Sequence, residues 1–187
     1  QRGHEYGKPL STMRNYLEAM DKALYMDVEP EFDAPIVIGA LRDKMLKLSA
    51  THAQGAHPYN VTPEHTKHAR ELMGPDALLC PEHMVLHETD PTKARDIARK
   101  NLKIYIGLPN YQNSLKQFGF TDADFLDGGS DALVDALVCW GEPDKIAAHM
   151  QEHLDAGATH VCIQAYRNDG GFGADETLLQ ELARLLS

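Results

Sequence analysis

The sequence predicts an α/β fold with a parallel sheet, and three observations carry that prediction. Short, apolar, partly β-branched runs (Ile36-Val37-Ile38, Met84-Val85-Leu86 and Val161-Cys162-Ile163) have the composition of strands buried on both faces. Between them lie segments whose apolar residues recur at helical spacing. The junctions are short and marked by Gly or Pro, with no linker long enough to divide the chain into two domains. Such alternation is the repeating unit of a parallel α/β protein, and it implies helices packed mainly on one face of the sheet.

The segment from Gly141 to Gln164 shows the unit most clearly. Pro143 suits a first helical turn, where its missing N–H would have no partner anyway. Ile146, Ala147, Met150 and Leu154 follow at helical spacing and predict one apolar face. Gly157 can end that helix in a left-handed conformation, and Val161–Gln164 then reads as a buried strand. Its C-terminal end, Gln164-Ala165-Tyr166, is where parallel barrels and open sheets hold their ligands.

The other elements follow in order. Pro9 to Met26 predicts a helix with Leu10, Met13, Leu17, Met20 and Leu24 on one face, followed by an acidic, Pro-containing link from Asp27 to Pro35. Ile36 to Ala40 is a strand, and a helix from about Asp43 ends near Gly55. Ala56 to Pro58 or Tyr59 forms a very short strand. Thr62-Pro63-Glu64 opens a helix with a hydroxyl cap, Pro in the first turn and an acid beside it, and Gly74-Pro75 closes it. Met84–Leu86 is the core of a strand, and Thr89-Asp90-Pro91 starts a long helix with Ala94, Ile97, Ala98 and Leu102 inward. From Gly107 to Gly129 the alternation stops. The segment is turn-rich but carries Leu115, Phe118, Phe120 and Phe125, too apolar for a solvated linker, so it reads as a helical insertion packed over the rest. Helices from Ser130 and Asp175 complete a single domain over 1–187. About four strand–helix units are present; a closed (β/α)8 barrel typically needs ~250 residues, so the chain is too short for one and holds about half its units.

Composition narrows the function. A formal charge of −10 argues against a general nucleic-acid binder, which needs clustered Lys and Arg. No apolar run is long enough to span a membrane and no signal-peptide pattern is present, so a cytoplasmic protein without membrane contact is expected. The chain begins with Gln rather than Met, which we read as a piece of a longer or trimmed polypeptide. Cys80, Cys139 and Cys162 lie far apart without a CxxC pair, and two of them sit in apolar runs, which predicts buried free thiols in a reducing cytosol rather than disulfides or zinc ligands.

Ten histidines raise the question of a metal. His149 and His153 are four apart on a predicted helix, but HMQEH lacks the Glu that directly follows the first His of the zinc-protease motif. The apolar face Ile146/Met150/Leu154 lies elsewhere, so both imidazoles are expected in solvent and no metal is expected; His65 and His68 are expected on a helix surface by the same reasoning. His57, on a short strand, either lines a ligand site or holds structure. The GGSDALVDAL segment lacks the spacing and Lys of a P-loop, and Ser130 is explained as a helix cap. No Ser-His-Asp or Cys-His constellation is defensible. Phe118 and Phe120 read as staples for the insertion, while Asn110 and Tyr111, in the PNY turn, are candidates for a substrate pocket.

Three segments, YGKPLSTMRNYLEAMDKA (Tyr6 to Ala23), PIVIGALRDKMLKLSATHAQGAHPYNVTPEHTKHAR (Pro35 to Arg70) and Leu108 to Gln164, resemble the C-terminal part of the bacterial luciferase-like flavin and deazaflavin oxidoreductases. The likeness is greatest to the coenzyme F420-dependent branch. It implies a TIM-like barrel, with these segments as its later strands, and it places the family's catalytic acid or base in earlier strands that have no counterpart here; no catalytic residue is therefore assigned. It also implies that the loops after Ile36–Ala40 and Ala56–Tyr59 hold the cofactor's phosphate-bearing tail. Ala40, Leu41, Arg42, Lys44, Met45, Tyr59 and Thr62 are the residues it points to. Both loops lead into helices, so amides at Asp43–Leu46 and around Pro63–His65 are candidate anion donors, with Lys44 and Lys67 adding positive charge. Family members often carry Gly-Pro where this chain has Arg42-Asp43; Asp43 brings a negative charge toward a phosphate, which Arg42 offsets.

The resulting expectation is a hydride-transferring oxidoreductase that uses coenzyme F420 on a small organic molecule. An FMN-dependent monooxygenase served by a separate reductase is the alternative within the same fold. A non-catalytic fragment or paralogue that pairs with another subunit is the alternative from a different class. Unpaired strand edges predict a homo-oligomer or association with a missing half-barrel.

Overall fold

A computed structural model of the protein describes residues 7–24, 26, 28 and 31–186. The start of the Tyr6 segment, Tyr25 in the first predicted helix and part of the Asp27–Pro35 link lie outside the described residues. The first helix, α1 (Pro9–Asp21), is shorter than expected, and only Leu17 on it is fully buried, against α2. The chain continues as β1 (Val37–Ile38), α2 (Asp43–His52), β2 (Gly55–Ala56), α3 (Pro63–Met73), β3 (Leu78–Leu79) and β4 (Glu82–Leu86). It then forms α4 (Pro91–Ile106), α5 (Pro109–Leu115), α6 (Asp131–Leu137), β5 (Val138–Trp140), α7 (Pro143–Asp155), β6 (Cys162–Tyr166) and α8 (Glu176–Leu185). Two 3-10 segments, Lys116–Phe118 and Asp122–Gly128, lie between α5 and α6.

All strand ladders are parallel. One sheet has the order β1-β2-β3 and the other β5-β4-β6. Cys80 and Pro81 separate β3 from β4, yet the Pro81 carbonyl still accepts from Cys162 N at 2.8 Å, so the two sheets share one kinked path of chain. In register, Glu82, Met84 and Leu86 of β4 pair with Cys162, Gln164 and Tyr166 of β6. At Gly55 a side chain would place Cβ 2.2 Å from the Leu78 carbonyl oxygen; only Gly permits so close a β2–β3 approach. Gly157 adopts φ +104° as the turn after α7 requires.

Side chains alternate across β4, and the two faces have different covers. Val85, with Cys139 and Ala165, packs on Ile146, Ala147 and Met150 of α7 and Leu178 and Leu182 of α8. Met84 and Leu86 pack instead on Ala94, Ala98 and Leu102 of α4 and Leu133, Val134 and Leu137 of α6. A third cluster joins Ala56 and Leu79 to Leu46, Ala69 and Met73 of α2 and α3. Helices therefore cover both faces, which corrects the expectation of a one-sided layer: α4 and α6 carry the apolar groups that the Met84/Leu86 face needs. The aromatic staples fit this cover. Phe120 and Phe125 pack against the α4–α6 cluster, and the Phe118 ring lies 5.4 Å from His65 and 5.8 Å from His68.

Four histidine expectations are corrected. His65 is buried and its Nε2 lies 2.7 Å from the Leu41 carbonyl; His68 is half-buried and its Nε2 lies 3.0 Å from Asp43 Oδ1. His153 is 0% exposed and His149 side-chain exposure is 19%, whereas Leu154, placed on the apolar stripe by sequence, is 36% exposed. The stripe of α7 runs Ile146, Ala147, Met150, His153. Positions 153 and 154 both satisfy helical spacing from Met150, and the tertiary partners, Thr66 and His83, select the histidine.

Candidate functional site

The strands end together at one edge of the sheet, and the polar residues there form two groups. The first surrounds the start of α2. Ala40 and Leu41 are buried, Arg42 and Lys44 are exposed and Met45 is half-buried against the α2–α3 core. Neither Arg42 nor Lys44 has an ion-pair partner among the described residues. The amides of Met45 and Leu46 both donate to the Arg42 carbonyl, at 2.9 and 3.0 Å. This reduces the anion donors expected at Asp43–Leu46 to Asp43 and Lys44, because the first turn closes on itself. Asp43 is held as a carboxylate, its pKa lowered chiefly by the His68 hydrogen bond.

At the start of α3 the donors are fewer than expected. Pro63 has no N–H, and Thr62 Oγ1 accepts from the His65 amide at 3.4 Å. Thr62 is buried, so its hydroxyl serves as the helix cap rather than facing an open loop. The α2 start, with the Asp43 and Lys44 amides and the exposed Arg42 and Lys44 side chains, therefore offers an anion more donors than the α3 start. Phe118 lies against His65 and His68 beside it, so the 107–129 segment walls this loop.

The second group is aromatic and carboxamide. Tyr59 donates its hydroxyl to Gln164 Oε1 at 2.6 Å, and Tyr166 donates to the same oxygen at 3.0 Å. The Tyr59 ring meets Tyr105 edge-on at 5.0 Å, and Tyr105 meets Tyr111 at 5.5 Å. The geometry thus joins two predicted residues, Tyr59 and Tyr111, through Tyr105, while Asn110 is exposed and outside the group. Burial pushes the pKa of Tyr59 well up, and it raises Tyr166 and Tyr111 as well. The phenols therefore stay neutral donors. With both hydroxyls on Oε1, the Gln164 amide nitrogen has no partner among the described residues and is left to donate to a ligand.

Below this group His57 Nδ1 lies 2.7 Å from the Cys80 carbonyl and Nε2 lies 3.0 Å from Glu82 Oε2. The ring thus ties the loop after β2 to the start of β4. Sequence reasoning considered His57 but missed Glu82, and it noted Gln164 and Tyr166 only as a strand end. The available signal was an acid opening the otherwise apolar run Met84-Val85-Leu86, on the same alternation as Met84. The cysteines are free, as expected, with Cys139 buried and its thiol pushed up to about 11 by that burial.

A parallel partial barrel that carries a helix start with exposed cations and an aromatic, hydrogen-bonded group defines the class: a (β/α)-barrel protein. The sequence matches the luciferase-like monooxygenase family over residues 1–160, and the chain belongs to that family. Three solved structures are similar in fold. An F420-dependent secondary alcohol dehydrogenase in complex with an F420–acetone adduct aligns with TM-score 0.69 and 12% identity, over 100% of this chain and 65% of that one. The coenzyme F420-dependent tetrahydromethanopterin reductase of Methanopyrus kandleri aligns with TM-score 0.53 and 16% identity, over 81% and 50%. Apo-MsnO8 aligns with TM-score 0.56 and 18% identity, over 99% and 61%. The chain thus spans less than two thirds of the length of each of these structures. No curated protein matches the sequence. Family and partial-barrel fold both agree with the resemblance of the quoted segments. No helix among the described residues is long and apolar enough to cross a membrane.

Proposed function

We propose that the protein is an oxidoreductase that moves a hydride between coenzyme F420 and a small organic substrate. The observation that carries this reading is the α2 start, where the Asp43 and Lys44 amides and the exposed Arg42 and Lys44 side chains follow the end of β1, with the Tyr59–Gln164–Tyr166 group on the loop after β2 and on β6. That donor set fits a phosphate-bearing tail, and the aromatic wall fits a planar ring. When bound, the deazaflavin supplies or accepts the hydride. The chain's own part is to anchor the tail at Arg42 and Lys44, with Ala40, Leu41 and Met45 shaping the loop. The Gln164 amide, Tyr105 and Tyr111 orient and shield the ring end, and the hydrogen-bonded His57–Glu82 pair supports the strands beneath it. Absorbance spectra of the full-length protein as purified test the reading: a co-purified deazaflavin band supports it, a flavin band supports the FMN-dependent alternative, and the absence of cofactor after incubation with either removes both.

We further propose that the protein works in association, with a second copy or with another half-barrel. Supporting this, β1 pairs only with β2 among the described residues, and Leu24, Met26 and Phe32 stand exposed before it. Open strand edges and apolar side chains favour pairing. Sedimentation of these 187 residues is expected to show self-association; a clean monomer with cooperative unfolding would contradict this.

A further inference from the structure

We propose that His83, His149 and His153 form a binding site for a divalent transition metal, Zn²⁺ foremost, that pins β4 to α7. His83 projects from β4 on the face opposite Glu82 and Met84, so the cluster is separate from the strand-end site. Its ring lies 4.7 Å from that of His149 and 5.2 Å from that of His153. One ring nitrogen of each residue lies within 4.8 Å of those of the other two. His83 and His153 are 0% exposed, in a layer closed by β4, α3 and α7.

The hydrogen bonds leave the ligand atoms free. His149 Nδ1 lies 2.9 Å from Glu152 Oε2 and His153 Nδ1 lies 2.8 Å from Thr66 Oγ1. With Nδ1–H donating outward, each Nε2 keeps its lone pair pointed inward, the arrangement by which carboxylates and hydroxyls orient metal-binding imidazoles. Both of those Nε2 atoms, and both ring nitrogens of His83, are buried without a hydrogen-bond partner. Buried polar atoms are rarely left so, and with one His83 nitrogen turned toward the Val61 backbone, the three that remain, one from each ring, point to a shared ligand.

Imidazole nitrogens are a donor set that zinc accepts. Tetrahedral Zn–N bonds of about 2.0–2.1 Å place ligand nitrogens about 3.4 Å apart, so the cluster closes by small ring movements. The acids facing it are Glu152 and, at the start of α3, Glu64, which senses both imidazoles of α7. Because His83 lies near the N-terminal end of β4, away from the strand ends, the metal's role is to position structure rather than to react.

The test uses the full-length protein stripped with EDTA and then titrated with Zn²⁺ and, for its visible spectrum, Co²⁺. We expect one bound metal per chain, tetrahedral cobalt bands and a higher Tm with zinc. The half-buried ligand is removed by His149→Ala, which should abolish the cobalt bands and the Tm response. Glu152, exposed on α7, is altered by Glu152→Gln, which should keep the fold and weaken affinity about ten- to hundredfold. Absence of a stoichiometric metal in the unmodified protein, or the same affinity in the folded His149→Ala protein, overturns the site and leaves three packed neutral imidazoles.

Discussion

Tyr59 and Gln164, 105 positions apart in sequence, are joined by a 2.6 Å hydrogen bond. The bond links the loop after β2 to the middle of β6, two strands that do not pair with each other. Tyr166 adds a second donor to the same oxygen at 3.0 Å. The two possible disruptions of this group therefore differ in cost. Tyr59→Phe leaves the oxygen with one donor and should cost about 1 kcal/mol. Gln164→Leu strands two half-buried phenols and should cost more, about 1–3 kcal/mol for each hydroxyl that finds no water. Urea unfolding of both variants checks the order; equal costs would mean that water already serves these hydroxyls.

Lys44 bears on cofactor binding. Replacing it with Glu in the full-length protein should weaken binding of a phosphate-bearing cofactor by about 1–3 kcal/mol, the range of a charge-assisted contact. The effect should shrink as salt rises, because the side chain is exposed. Binding should not vanish, since the Asp43 and Lys44 amides remain. Titrations at two ionic strengths check this, and unchanged affinity at both would leave the backbone as the anchor.

His65 gives the fold a pH dependence. Its pKa is lowered from 6.5, first by burial, with the Leu41 carbonyl hydrogen bond working the other way. The unfolded chain therefore takes up a proton below about pH 6.5 that the folded chain refuses. Stability contributed by this group is complete above that pH and falls on acidification, by up to about 1.4 kcal/mol per pH unit until the folded pKa is reached. Unfolding midpoints at pH 7.5 and 5.5 should converge in His65→Gln relative to the unmodified protein. The same pH response in both proteins would show that other groups set it.

Much of the fold was legible because its signals are local. Thr62, Asp90, Ser130 and Asp175 were readable as helix starts, and each side chain accepts from a backbone amide of its helix. The run Ile36–Ala40 announced a strand, although the ladder stops at Ile38, where the chain turns toward α2. β5 was hidden because Leu133, Val134 and Leu137 continue at helical spacing straight into Val138-Cys139-Trp140, with no Gly or Pro at the change. β3 is two leucines, a residue type with no preference strong enough to declare a strand.

The site was less legible because it is made by distant partners. Lys44 and Arg42 could be found from a loop feeding a helix, but Tyr111 meets Tyr59 only through Tyr105. Glu82 gains meaning only from His57, 25 positions away in sequence. The histidines of α7 face inward because His83 and Thr66 are there to receive them, which no periodicity within the helix encodes.

If this barrel segment anchors a deazaflavin at the start of α2, coenzyme F420 should bind it in preference to FMN. Fluorescence titration of the full-length protein with each cofactor in parallel should show saturable binding of F420, tighter than FMN, with one cofactor per chain. Binding of neither cofactor, by a protein that is folded and retains its Tyr59–Gln164 contact, would contradict it.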